Sequence, residues 1–378
     1  MPNNIEFILI YLALAFAGGM FGATVGALLS FVLCGAFALI SSCFYLAGDA
    51  ATGLLVDNWL TWGPLVGPHT AFVGGCWAAV YARYHANYHN SKDICQPLIT
   101  LQRNDVILVG GLGGTAGALI SILVQQLPVY CLADGTTLPS GNHVASGVVI
   151  ASIAGRIIFG KTGIFGQPPE KINRFEGSER NNWLPQQHSI GAIALLTVTV
   201  GLPAAFTTYL HSGTHLIIFA IMTLLFLFMV LGQGVVAAHH IAICAYAAVA
   251  VTGNVAWGLC FALLAAFSGD FFAYLFTAHG DSHIDPPSCA IMLCGFIQPL
   301  LIRSGIMPYS PLQGLNNSKA LYSLQNMFLT NGSFTGLIAL IIVAVSMPLL
   351  TYFLRSYPAS GPALAEPEIN SELPEKTT

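Results

Sequence analysis

Four histidines open short apolar segments: His69 follows Pro68, His143 follows Asn142, His240 follows His239, and His283 precedes Asp285, Pro286 and Pro287. An imidazole donates and accepts hydrogen bonds at once, and near neutral pH it also exchanges a proton. An ionisable ring in hydrocarbon is costly, so such residues face a bundle interior or a wet cavity and mark a pathway. The expected pathway residues are therefore His69, His143, His239, His240 and His283, joined by Asp270, a carboxylate inside the apolar stretch 253–276. Asp270 there would relay protons or bind a monovalent cation, or else reach the headgroups from a helix end.

Metal binding is the second chemistry these residues could do. His85/His89, His211/His215 and His279/His283 are each four apart, a spacing that puts both rings on one helical face. The charge pattern below sets the first two pairs on opposite sides of a membrane, so they cannot close around one di-iron centre. In the run His279, Asp281, His283, Asp285, imidazole alternates with carboxylate, a donor set suited to a divalent cation. Asp285 ahead of two prolines is also a good helix start, and capping is the favoured reading. No catalytic residue set emerges, since neither Gly-x-Ser-x-Gly nor Ser-x-x-Lys occurs. The sequence of glycines 110–114 has no following Lys-Ser/Thr and implies close helix packing, not a nucleotide loop.

The surroundings of these residues are lipid. Of 378 residues, 55% are hydrophobic and 7% charged, far below the roughly 25% charged of a soluble domain. The net charge is -4 and the 12 Lys and Arg form no basic stripe, which sets nucleic acid aside. Nine cysteines without CxxC pairs indicate neither a disulfide framework nor a zinc ribbon. The first residues lack a basic region and a small-residue cleavage site, so no removable signal peptide is expected.

Apolar stretches predict spans at 5–43, 105–127, 188–210, 216–235, 253–276 and 333–354, with shorter interrupted segments at 67–82, 143–160, 239–252 and 283–302. The order of spans and His segments reads twice, giving a first membrane repeat at 1–210 and a second at 216–355. Five elements per copy would turn the second copy upside down, the inverted plan of many transporters. Basic residues cluster at 83–103 and 156–180 and are absent from 44–68 and 128–142. By the excess of Lys and Arg in cytoplasmic loops, ten crossings would place both termini, including a disordered tail at 359–378, in the cytoplasm. Arg303 and Lys319 are the discordant pair. His188, at the end of the polar stretch 161–187, reads as a loop residue without a role.

The fold class expected is thus an all-α polytopic membrane protein with about ten segments in two inverted repeats of broken or re-entrant helices. It resembles urea-transporter and ammonium-transporter folds in architecture alone. The function expected is a permease or channel of the inner or plasma membrane, passing a small solute between the repeats. Alternatives are a divalent-cation carrier using the His/Asp run, a membrane-embedded metalloenzyme, or a partner subunit without a path. The expected partners are the bilayer, a small-molecule or ion substrate and a second copy of the chain. No cofactor is expected other than, in the metal reading, a divalent cation.

Overall fold

A computed structural model describes residues 5–132, 135–169, 172–176, 187–312, 327–328 and 334–356. The described chain is helical apart from one small hairpin, Tyr130–Cys131 against Thr137–Leu138. Eight helices are long and apolar enough to cross a membrane, and their backbone groups bond within the helix, as lipid requires. The chain is a multi-pass, all-α membrane protein.

In chain order α1 is Ile5–Val25, α2 Ala27–Leu46 and α3 Ala50–Val56. A π turn at Pro68–Phe72 leads into α4, Val73–His85, and α5 is Asn104–Gln125. The short α6, His143–Phe159, follows. Next come α7 Ile190–Leu210, α8 Ser212–Val230 and the short α9 His239–Thr252. The last three are α10 Val255–Thr277, α11 Pro286–Arg303 and α12 Thr335–Ser356.

The stretch 5–43, expected as one span, is two helices. Gly26 breaks it with φ +100°, a conformation that L side chains avoid. A single glycine among many small residues gives the sequence no sign of a turn. The tail 359–378 lies outside the described residues.

Side-chain contacts fix the direction of each element. Ala15 and Tyr11 of α1 pack with Ala118 of α5, while Ala23 lies with Val106 and Ile107, so α1 and α5 are antiparallel. Segment 57–85 runs parallel to α1, because Trp59 touches Phe7 at its beginning and Ala79 and Ala82 join Ala23 at its end. Trp77 donates to Ala151 O at 2.7 Å and stacks edge-on against Phe159, which sets α6 beside α4 in the same direction. In the second half, Gly258 of α10 lies against Ala205 and Gly201 of α7 against Ala262, again antiparallel. The two halves meet where Thr223 of α8 covers Gly35 of α2 and where Ile284 and Cys289 pack on Val149 of α6. Ile5 and Ser356 end this trace at opposite ends of the bundle.

Glycine makes the centre of the first half possible. A Cβ on Gly117 would lie 1.8 Å from His69 O, and one on Gly114 2.4 Å from Ala15 O, so the backbones of α1, α5 and the turn before α4 touch. Such small-residue contacts replace the hydrophobic drive that lipid removes. Gly117→Val is expected to cost more than about 3 kcal/mol, the upper range for overpacking, seen as a large fall in thermal midpoint and in folded yield in detergent. Gly191→Ala, where a Cβ meets nothing within 4 Å, leaves both unchanged.

Candidate functional site

The starts of the short helices border two cavities. The larger, about 720 Å³, is lined by Trp59, Trp62, Gln125, Asn142, His143 and Tyr246 among others. The smaller, about 240 Å³, reaches Asn90, Lys92 and Asp93 at the other end of the bundle, and His283 and Asp285 within it. Phe31, Pro68, His239 and Ser288 line both. These four side chains are the septum shared by the two cavities.

Three expected pathway histidines stand on these walls. His143 is the first residue of α6, where Asn142 Oδ1 caps the helix by accepting from Ala145 N–H at 2.9 Å. Its Nδ1 lies 2.8 Å from Ser121 Oγ and 3.3 Å from Gln125 Nε2, both of α5. His239 begins α9 within a ring of phenylalanines, its centroid 4.9 Å from Phe31, 5.4 Å from Phe226 and 6.0 Å from Phe219. Its Nδ1 is buried with no hydrogen-bond partner among the described residues. His283 lies 3.3 Å from Asp285 Oδ1 through Nε2. Asp285 caps α11, its Oδ2 accepting from Ser288 N–H at 2.8 Å and Ser288 hydroxyl at 2.6 Å.

His69 and His240 stand behind the walls. His69 is fully buried, 3.1 Å from the Tyr11 hydroxyl and against Gly147 of α6. His240 presses on Gly269 of α10. A helix start turns successive side chains about 100° apart, so of the adjacent pair His239 and His240 only one meets the cavity.

Asp270 lies away from both cavities. Its Oδ2 accepts from Arg355 Nη2 at 2.8 Å, its Oδ1 lies 3.1 Å from His188 Nδ1, and Tyr274 hydroxyl is 2.9 Å from that same nitrogen. His188 is thus no bare loop residue: this cluster fastens α12 to α10. Arg355 comes from 85 residues downstream of Asp270, a separation that hides the pairing from local sequence.

The run 279–285 does not gather round one point. His279 Nε2 lies 2.9 Å from Arg174 O. Asp281 accepts from Tyr84 hydroxyl at 2.7 Å, Lys161 N–H at 2.6 Å and Thr162 hydroxyl at 2.7 Å. His283 and Asp285 face the smaller cavity. Among the described residues no three His, Cys, Asp or Glu are placed to hold a metal ion. Arg156 of α6 binds this turn from below, donating to Ser282 Oγ at 2.7 Å and to the carbonyls of Phe276, Ser282 and Ile164. At the mouth of the smaller cavity, burial and the neighbouring Arg156 and Arg83 pull the Lys92 amine below its ordinary value.

Phe31, Pro68 and Ser288 of the septum and the tryptophans of the larger cavity were not expected as pathway residues. Aromatic and small residues in apolar spans look the same whether they face a neighbour, lipid or a cavity. The Pro beside His69 was the one available signal.

A family of unknown function, DUF7973, matches the chain over residues 3–181 and again over 169–314. The chain belongs to this family. No curated protein and no solved structure matches it. The two family matches divide near the polar stretch 161–187, between α6 and α7, where Asp281 also binds Lys161 and Thr162.

Desolvation alone would raise the Asp281 carboxyl, but the three bonds from Lys161, Tyr84 and Thr162 outweigh it and hold the group below its ordinary 3.8. A depressed carboxyl stabilises the fold above its unfolded value, and this is lost as pH falls through the folded value. Asp281→Asn is expected to cost about 2–3 kcal/mol at neutral pH, of the order of one or two bonds to a charged group. It should also flatten the acid limb of the stability curve below about pH 4, measured by thermal unfolding across pH.

Proposed function

We propose that this protein is a membrane permease or channel that passes a small solute along the axis joining the two cavities. The observation that carries this reading is the septum of Phe31, Pro68, His239 and Ser288, side chains that border both the cavity reaching Lys92 and Asp93 and the one reaching Trp59 and Gln125. Proteins that only scaffold have no need of a cavity at each end lined by helix starts and partly polar groups.

Internal duplication supports it. We place the copies at 5–160 and 190–303, each reading two long helices, an interrupted one, a long one and a capped one. This shifts the boundary from that expected at 210–216 because of the break at Gly26. His69 against the α5 glycines answers to His240 against Gly269 of α10, and Asn142 capping α6 answers to Asp285 capping α11. Five passes in the first copy invert the second, with the axis between α2 and α8 and between α6 and α11. Arg83, Lys92, Arg103, Lys161, Arg174 and Arg355 share one end, so we assign that end and α12's last turn to the cytoplasm and α1's first turn to the outside.

The reading is tested with protein reconstituted in vesicles and challenged with small polar solutes in a swelling assay. Ser288→Trp is expected to reduce flux at least tenfold, while Phe31→Ala raises it. Ser288→Cys, in a background with Cys43, Cys95 and Cys131 replaced by Ser, should be modified by a water-soluble thiol reagent, with loss of flux. Absence of flux for every solute, together with an unreactive Ser288→Cys, would overturn the proposal.

A further inference from the structure

We propose that the smaller cavity is a binding site for a small primary ammonium cation, held between the Asp285 carboxylate and the His239 ring. The site takes its place on the path from the transport reading and names the class of solute.

Charge is the first reason. The ionised side chains on this cavity are Lys92, Asp93 and Asp285, and only Asp285 lies deep, close enough to His239 for the two to interact electrostatically. Its carboxylate is bonded by His283 and Ser288, and among the described residues no Lys or Arg pairs with it. Lys92, at the mouth, donates to Ala278 O at 3.2 Å. A buried carboxylate whose only side-chain partners among the described residues are an imidazole and a hydroxyl, with no Lys or Arg, excludes an anion and favours a cation.

The second reason is the number and kind of acceptors. An R–NH3+ group has three donors. The inner wall offers a carboxylate, the Ser288 hydroxyl oxygen and a His239 ring whose Nδ1 has no hydrogen-bond partner among the described residues. A neutral imidazole keeps one nitrogen free to accept. Phe31, Phe72 and Phe226 complete the wall, and aromatic rings attract a partly desolvated cation. A divalent metal asks for more: magnesium or calcium takes six or more oxygen ligands, and one carboxylate with a hydroxyl cannot supply them. The volume, about 240 Å³, suits a solute of a few heavy atoms with its remaining waters, each water needing about 30 Å³.

The test is calorimetric titration of the full chain in detergent with methylammonium chloride, with tetramethylammonium and magnesium chloride at matched ionic strength. Saturable methylammonium binding is expected, with tetramethylammonium, which has no N–H donor, at least tenfold weaker and magnesium not competing. Asp285→Asn keeps a good helix cap and removes the charge, so it should weaken binding at least tenfold with little change in thermal midpoint. His239→Ala should do likewise, and it decides the matter should the first variant fold poorly. Gly191→Ala binds as the parent does. No saturable binding by the parent chain, or binding that survives both substitutions, would overturn the site. Binding without flux in vesicles overturns the transport reading and leaves the site standing, whereas flux of other solutes without methylammonium binding does the reverse.

Discussion

A helix that starts inside a membrane leaves its first backbone N–H groups without helical partners, and hydrocarbon offers none. The segments beginning at Pro68, His143, His239 and Pro286 all carry this cost, and the rest of the bundle is arranged around meeting it. Asn142 and Asp285 supply side-chain caps for two of the four. The turn at Pro68 begins with the one residue that has no N–H to satisfy, and Thr70 and Ala71 N–H both donate to Gly67 O. At α9 no side chain caps the start, and its first residue, His239, borders both cavities, as Pro68 does.

Burying four such starts demands that the long helices close tightly around them. In the first half this is achieved by backbone contact: α1, α5 and the segment entering α4 meet at Gly19, Gly74, Gly110 and Gly114. In the second half larger residues do the same work at lower intimacy, with Trp257, Phe261 and Phe267 buried in α10. Backbone contacts surround His69, whereas the aromatic rings of Phe31, Phe219 and Phe226 surround His239.

Much of this was legible in the sequence, for reasons that are physical. Long apolar runs with almost no charge admit no solvent but lipid, so the class was secure. Imidazoles placed beside Pro, Asn or Asp at the head of a short apolar run signalled interrupted helices, and His143, His239 and His283 do line the cavities. His69 and His240 carry the same local signal yet pack behind the walls, because which of two adjacent residues at a helix start, Pro68 or His69, His239 or His240, meets the cavity is set by tertiary packing. Asp270 looked like a lone carboxylate only because Arg355, its partner, lies on another helix. The hairpin at Gly26 was invisible for the opposite reason: one glycine in a stretch already holding Gly18, Gly19 and Gly22 carries no distinct mark, and only its φ of +100° separates it from glycines that serve packing.

Taken as copies, the halves differ most where a path would need them to. The caps at corresponding positions are Asn142, neutral, and Asp285, ionisable, and each faces one cavity. Among the described residues no Lys, Arg, Asp or Glu lines the larger cavity, whereas the smaller one holds Asp93, Asp285 and Lys92. In a medium of low dielectric a single buried carboxylate dominates the potential over several ångströms, so the two approaches to the septum are electrically unlike despite similar backbones. Duplication alone would give a solute the same surroundings on both sides. Replacement of an amide nitrogen by a carboxylate oxygen at a helix cap, which leaves the capping oxygen in place, is the smallest change that puts a negative charge on one side of the septum and not on the other.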